Sequence, residues 1–234
     1  GDKVYGQFIH SPIGEGSFAE YVIVPEKSGI TLAPSSLSAV EAAAVPTSGM
    51  TAQQLLDKLD LQDGDTLLID GASGGVGSFA TQLAAAQGIQ VIATVSDEAS
   101  SARMKKLGAA VTVNYKEASL QQQVKAKYPG GLDGLIDLVS DAAGFVANLD
   151  LLKPGAGALT TLFVANEDAL KSRKIHGGNF ETQGSAASLD TLSLIIDRGE
   201  LTIPVENKIR LEDVPDAIAR SRQGRGKGKT VIVI

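Results

Sequence analysis

The sequence predicts an α/β protein centred on a doubly wound, six-stranded parallel sheet. Three observations lead there. First, short apolar runs alternate with helix-like runs from Asp65 onward. Strands are expected at Thr66–Asp70, Gln90–Val95, Ala110–Val113, Gly134–Val139 and Ala158–Phe163, with a weaker sixth near Arg173–His176. A strand every ~20–25 residues, each followed by a helix, implies right-handed βαβ units and a parallel sheet. Second, the run "LLID" is apolar on both faces until its end, as a strand covered on both sides must be. Third, "IDGASGGVGSFATQLAAAQG" (Ile69–Gly88) places a glycine-dense turn between that strand and an alanine-rich helix.

The elements follow in order. "GDKVYGQFIHSPIGEGSFAEYVIVPEKS" reads as two strands joined by a loop bearing glycine and proline, without helical periodicity. "TAQQLLDKL" reads as a helix that Thr51 can cap. After the glycine turn, Phe79, Leu83 and Ala84 share one helix face, and Gly88 stops that helix. Glu98–Leu107 is stopped in the same way by Gly108. Glu117–Lys127 ends before Pro129-Gly130-Gly131, and Ala142–Leu152 before Pro154-Gly155. The tail offers helices at Leu189–Arg198 and Leu211–Ser221 and a closing strand, Thr230–Ile234. Flanks of β and α character around one βαβ block predict a discontinuous second domain.

A chain of 234 residues suits one large domain or two small ones. Asp and Glu outnumber Lys and Arg, 27 to 21, giving a formal charge of −6. That balance argues against a nucleic-acid partner, which needs a basic surface. With no cysteine there is no disulfide, thiolate nucleophile or cysteine-bound zinc. Only His10 and His176 remain as imidazole ligands, so no metal site is expected. No apolar run approaches the ~20 residues of a membrane span, and Gly1 opens no signal peptide. A cytoplasmic protein is expected.

A glycine fingerprint carries weight when strand, turn and helix surround it. Aligned to G-x-G-x-x-G, the residues are Ala72-Ser73-Gly74-Gly75-Val76-Gly77, with Ala72 in place of the first glycine. Gly74 lets the backbone approach a pyrophosphate, and Gly77 lets the helix pack tightly on the strand. The free N–H groups of the helix N-terminus then hold the anion. The end of the following strand selects the nicotinamide cofactor, since a carboxylate there accepts from a ribose 2′-OH. Here it is Ser96, with Asp97 one residue later and expected to point away. A hydroxyl removes the repulsion that a 2′-phosphate would feel, so NADP (NADPH) is favoured. Two other motifs fail. "GKGKT" lacks the first P-loop glycine, which is Gln223, and no tyrosine is followed four residues later by a lysine.

With these stretches the sequence resembles the medium-chain dehydrogenase/reductases, and within them the zinc-independent quinone oxidoreductases of the zeta-crystallin group. "GDKVYG", "GSFAEYVIVP", "LSAVEAAAVPTSGMTAQQLL", "GDTLLIDGASGGVGSFATQLA", "LLKPGAGAL" and the tail from "GELTIPVENK" carry the resemblance along nearly the whole chain. It implies a Rossmann domain at residues 49–181. Residues 1–48 and 182–234 would form part of a GroES-like β-barrel catalytic domain, whose front segment precedes "GDKVYG" in the family and is absent here. Either the sequence is a fragment of a longer chain or its early residues are not seen; a chain truly starting there would leave strand edges unpaired, which favours association into a homodimer. The resemblance further implies that Gly74, Gly75, Val76 and Gly77 hold the pyrophosphate. Ser96 and Tyr115 would sit by the 2′-phosphate, Thr51 near the nicotinamide, and Val139 and Phe163 would end strands beside it. The group usually has a lysine as a 2′-phosphate partner where this chain has Ser100; Arg103, one turn later, is the candidate substitute.

The remaining polar residues read blandly. His10 and His176 suit solvated positions, and Lys227 and Lys229 a solvated run before the last strand. No general acid stands out. Without zinc, the hydride acceptor should be polarised already: a quinone, or an enone or enal. Reduction of activated alkenes and cofactor binding without catalysis are the alternatives.

Overall fold

The computed structural model describes residues 1–7, 16–25, 28–222 and 228–234. His10, Gln223, Arg225 and Lys227 lie outside the described residues. The chain divides into two compact units, Gly1–Thr51 with Thr182–Ile234, and Ala52–Glu181.

The chain opens with β1 (Val4–Gln7), which pairs antiparallel with β2 (Gly29–Leu32). The sequence predicts a strand in "SFAEYVIV" instead. Residues 16–25 join no ladder, and Phe18, Tyr21 and Ile23 are 57, 90 and 94% exposed. Alternating apolar residues make a strand only when one face is covered and one edge is paired, and here the side chains are exposed and no described strand pairs with them. The first helix, α1 (Ala39–Ala44), is started by a capping box between Ser38 and Glu41. The second, α2 (Pro46–Leu59), begins at a proline pre-set for a first helical position. Thr51 is therefore inside α2 and does not cap it.

The second unit is continuous in sequence. Its elements are β3 (Thr66–Asp70), α3 (Gly75–Ala86), β4 (Gln90–Val95), α4 (Glu98–Lys106), β5 (Val111–Asn114), α5 (Leu120–Lys127), β6 (Leu132–Asp137), α6 (Ala142–Leu149), β7 (Leu152–Thr160), α7 (Glu167–Ser172) and β8 (His176–Asn179). The strands form one parallel six-stranded sheet in the order β5-β4-β3-β6-β7-β8. The order reverses between β3 and β6, which is the doubly wound, Rossmann arrangement. Leu67, Leu68 and Ile69 are fully buried, so helices cover both faces of β3. On one side Leu68, Ile92, Leu135 and Ala158 pack with Val124, Phe145 and Leu149.

Several boundaries differ from the sequence reading, each for a local reason. β6 stops at Asp137 because that side chain accepts the N–H groups of Val139 (3.1 Å) and Ser140 (2.9 Å) and turns the chain. Thus Val139 does not end the strand; it lies beyond it. β7 starts at Leu152, through Pro154 and Gly155, and the bulge opposite β6 accommodates them. It stops at Thr160, whose hydroxyl accepts the N–H of Leu162. Phe163 follows with φ +57, a rare conformation for a bulky residue. β8 begins three residues late, at His176, because Arg173–Ile175 close α7, a helix the pattern does not announce.

The closing segment supplies α8 (Ala186–Asp197), β9 (Val205–Arg210), a single 3₁₀ turn at Leu211–Asp213, α9 (Val214–Arg222) and β10 (Lys229–Val233), with β10 parallel to β9. Polar contacts tie α8 to the front of the chain. Tyr5 donates its hydroxyl to the Leu189 carbonyl at 2.8 Å, and Asp197 accepts from both the N–H and the hydroxyl of Ser35 and Ser36. Lys229 is half-buried, not solvated, and burial lowers its ammonium pKa.

Candidate functional site

The carboxyl edge of the sheet carries the glycine turn. β3 ends at Asp70, and Gly71 takes φ +89, which a side chain would strain. The tight turn thus falls to Gly71, one residue before the position the motif alignment assigns to it. Ala72 then sits fully buried. Gly77 has a packing role: a Cβ there would lie 2.5 Å from both the Ala72 Cα and the Gly71 carbonyl oxygen. Gly74 differs. A Cβ at Gly74 would meet only the Gly71 oxygen, at 3.4 Å, and its φ of −78 is ordinary. No protein atom forbids a side chain at Gly74.

The start of α3 is also unlike those around it. Six other helices receive a side-chain cap, from Ser38, Asp97, Ser119, Asp141, Asn166 and Ser185. Gly74 offers α3 none. Ser73, within the turn, has a buried hydroxyl without a hydrogen-bond partner. Arg103, from α4, donates a guanidinium N–H to the Ser73 carbonyl at 2.6 Å. An unpaired hydroxyl, an uncapped helix start bearing Gly75 and Val76, and one cation converge on the same turn. Together they fit an anion such as a pyrophosphate.

At the end of β4, Asp97 caps α4, accepting from the Ser100 N–H at 2.7 Å and the Ser100 hydroxyl at 2.7 Å. The Ser96 hydroxyl donates to the same carboxylate at 3.1 Å. Ser100 is buried and its hydroxyl is engaged in this capping box with Asp97. The physical reason is local: Asp97 and Ser100 are three apart at a helix start, where each satisfies the other's backbone N–H.

Three apolar side chains project at the same carboxyl edge. Tyr115, Val139 and Phe163 are 54, 59 and 61% exposed, just beyond β5, β6 and β7. Ligands of open α/β sheets bind outside this edge, near the strand-order reversal. Thr51 belongs to the other unit, where it is buried; its hydroxyl donates to the Thr47 carbonyl at 2.6 Å and meets the Thr182 hydroxyl at 2.5 Å. His176 is exposed at the start of β8.

A group invisible in the motif lies beneath the turn. Asp70 and Asp137 end the adjacent strands β3 and β6, and both are buried. Burial pushes the Asp70 carboxyl above its ordinary value, and the Asp137 charge pushes it further, against hydrogen bonds from Thr94, Asn148 and Ser140. Among the described residues, no group of three or more His, Cys, Asp or Glu side chains is placed to hold a metal. No helix among them is long and apolar enough to cross a membrane.

Known proteins share this architecture. The NAD(P)H oxidoreductase RTN4IP1 of Homo sapiens, a mitochondrial protein, is 30% identical over 260 residues, covering 99% of this chain and 64% of its own. The quinone oxidoreductase structure from Coxiella burnetii superposes with a TM-score of 0.81 at 28% identity, over 88% of this chain and 64% of that one. A structure described as an NAD-dependent alcohol dehydrogenase gives 0.80 at 29% identity, covering 94% and 65%. The chain thus spans about 64% of the length of the human relative. The sequence profile described as "Zinc-binding dehydrogenase" matches residues 75–198, from the start of α3 to the end of α8. Fold, strand order and this match together place the chain in the zinc-binding dehydrogenase family of medium-chain dehydrogenase/reductases.

Proposed function

We propose that this chain is the nucleotide-binding part of an oxidoreductase that uses NADPH to reduce a quinone or a similarly activated acceptor without zinc. The observation that carries the reading is the turn at Gly71–Gly75. It has room for a side chain at Gly74 but none, an uncapped helix start, an unpaired Ser73 hydroxyl and the Arg103 cation. When bound, a reduced nicotinamide supplies a hydride. The chain's own residues hold and orient the dinucleotide. The α3 N-terminus and Ser73 face its phosphates, and Tyr115, Val139 and Phe163 offer apolar surface at the strand ends. The zinc-free reading rests on the sequence, which has no cysteine and only two histidines. The test is oxidation of NADPH by the purified full-length protein against a panel of quinones and enals. Turnover of quinones over enals supports the reading; turnover of enals alone favours activated alkenes, and no turnover with tight binding means a non-catalytic binder.

The preference for NADPH over NADH rests on Arg103, because Asp97 is turned onto its helix cap and Ser96 is neutral. Charge-assisted bonds contribute about 1.5–3 kcal/mol. Arg103→Ala should therefore raise the Kd for NADPH by roughly tenfold or more, a larger rise than for NADH, which loses only the cation at the turn. Fluorescence titration with both cofactors reads this directly; equal losses for the two would place Arg103 at the turn only.

A further inference from the structure

Two buried carboxylates lie directly under the glycine turn, and every partner they meet is neutral. Asn148, on α6, places one amide nitrogen 3.1 Å from Asp70 Oδ2 and 3.1 Å from Asp137 Oδ2, so each amide hydrogen serves one carboxylate. Gln121 donates to the Asn148 carbonyl oxygen at 2.8 Å and fixes the orientation of that amide. The other oxygen of Asp70 accepts the Thr94 hydroxyl at 3.0 Å, and Thr94 Oγ1 accepts the Gly71 N–H at 2.9 Å. The other oxygen of Asp137 accepts the N–H groups of Val139 and Ser140. Two turns therefore hang from one amide. The Gly71 turn connects through Thr94 and Asp70, and the Leu138–Ser140 turn through Asp137. The two are in close register already, since a Cβ on Gly71 would lie 2.8 Å from Val139 Cγ1.

We propose that Asp70, Asp137 and Asn148 act as a charge-sensitive clamp that holds these two turns at one spacing, and that loss of a proton from the acid pair weakens dinucleotide binding. The proposal rests on the dinucleotide reading above. Two ionised carboxylates in one buried site repel each other, and a pyrophosphate at the turn adds negative charge to the loop that Asp70 supports. The hydrogen bonds accommodate a proton without rearrangement. Placed on Asp70 Oδ1, it donates to Thr94 Oγ1, and the Thr94 hydrogen turns to the Ile69 carbonyl, 3.5 Å away. Gly71 keeps its acceptor. The charged group facing Asp70 is Asp137, on β6; Thr94 from β4, Asn148 from α6 and Ser140 are neutral. Asp141, next in sequence to Ser140, is exposed and caps α6 through the Gly144 N–H. Burial of Asp70, and then the Asp137 charge, raise its proton loss above the ordinary aspartate value.

The test titrates NADH and NADPH separately into wild type and Asp70→Asn, from the lowest pH at which the protein stays folded to mildly alkaline pH. In wild type the affinity for both should fall as pH rises, by at most about tenfold per pH unit for one proton. Asp70→Asn should bind NADH without that slope, because an amide turned toward Thr94 repeats the bonding of the protonated acid. NADPH carries its own phosphate titration near pH ~6, so the NADH measurement isolates the clamp. Calorimetry of wild type in two buffers of different ionisation enthalpy should show proton uptake on NADH binding, a readout that needs no variant. Binding of NADH that is independent of pH and of buffer, or an unchanged slope in Asp70→Asn, overturns the clamp while leaving the dinucleotide reading intact. Failure to bind either cofactor at any pH overturns both.

Discussion

Gly77→Ala should lower the melting temperature of the cofactor-free protein, whereas Gly74→Ala should leave it nearly unchanged. The two glycines are three residues apart and do different things. At Gly77 a methyl group would sit 2.5 Å from backbone atoms of Gly71 and Ala72, so helix and strand must separate. Overpacking of this kind costs about 1–3 kcal/mol, which is about 2–4 °C per kcal/mol in a chain of this size. At Gly74 the nearest atom is 3.4 Å away and the backbone is ordinary. That methyl group would instead occupy the space in which the proposed pyrophosphate must approach. Gly74→Ala should therefore abolish most of the rise in melting temperature that NADPH produces. Thermal shift with and without cofactor reads both effects. Full cofactor-induced shifts in both variants would make the glycines packing devices only.

Asn148→Ala should destabilise the protein, and more so at high pH. It removes the amide shared by two buried carboxylates and leaves both short of a donor. Losing a hydrogen bond to a charged group costs about 1.5–3 kcal/mol, or about 3–12 °C in melting temperature. The sign of the pH dependence follows from Asp70. Its carboxyl is held above the ordinary 3.8, so the folded chain binds that proton more tightly than the unfolded chain does. The stability this proton contributes is complete below pH 3.8 and is lost as pH rises through the folded-state value. With Asn148 gone, ionised Asp70 has lost a donor, so the deficit widens with pH. Asp133 has the opposite sign: burial raises its pKa, but bonds from Lys153 and Thr66 outweigh that and lower it. Comparing variant with wild type at each pH cancels this contribution. Equal losses in acid and in alkali would show that Asn148 packs the site without balancing its charge.

The sheet was legible because its central strands are governed by burial alone. β3 and β4 have the predicted bounds, each an apolar run covered on both faces and closed by polar or glycine residues. Strand ends set by side chains were not legible. β6 and β7 stop where Asp137 and Thr160 capture backbone N–H groups, which no periodicity records. β8, with Gly177 and Gly178 at its centre, is placed by pairing with β7 and not by propensity. At the candidate site, the glycine turn was visible as a local pattern. The exchange of roles between Gly71 and Ala72 was not, because it depends on a backbone angle. Asp97 and Ser100 could have been read as a capping pair from their spacing alone. The Asp70–Asn148 contact, between residues 78 apart, exists only once the sheet has formed.

The division of the chain has a kinetic consequence. Residues 52–181 form one uninterrupted unit, whereas the other is assembled from both flanks. During synthesis residues 1–51 emerge before residues 182–234, with which they form one unit. Tyr5 must wait for Leu189, 184 positions later. At about 5–20 residues per second, that delay is roughly ten to forty seconds, far longer than the time in which local βαβ contacts form. Residues 52–181 therefore fold before the unit that includes residues 1–51 is complete. In that interval β1 is open to misassociation, so a truncation after residue 181 should leave the unit of residues 52–181 folded behind an unfolded segment, a species that limited proteolysis would trim to a fragment starting near residue 52.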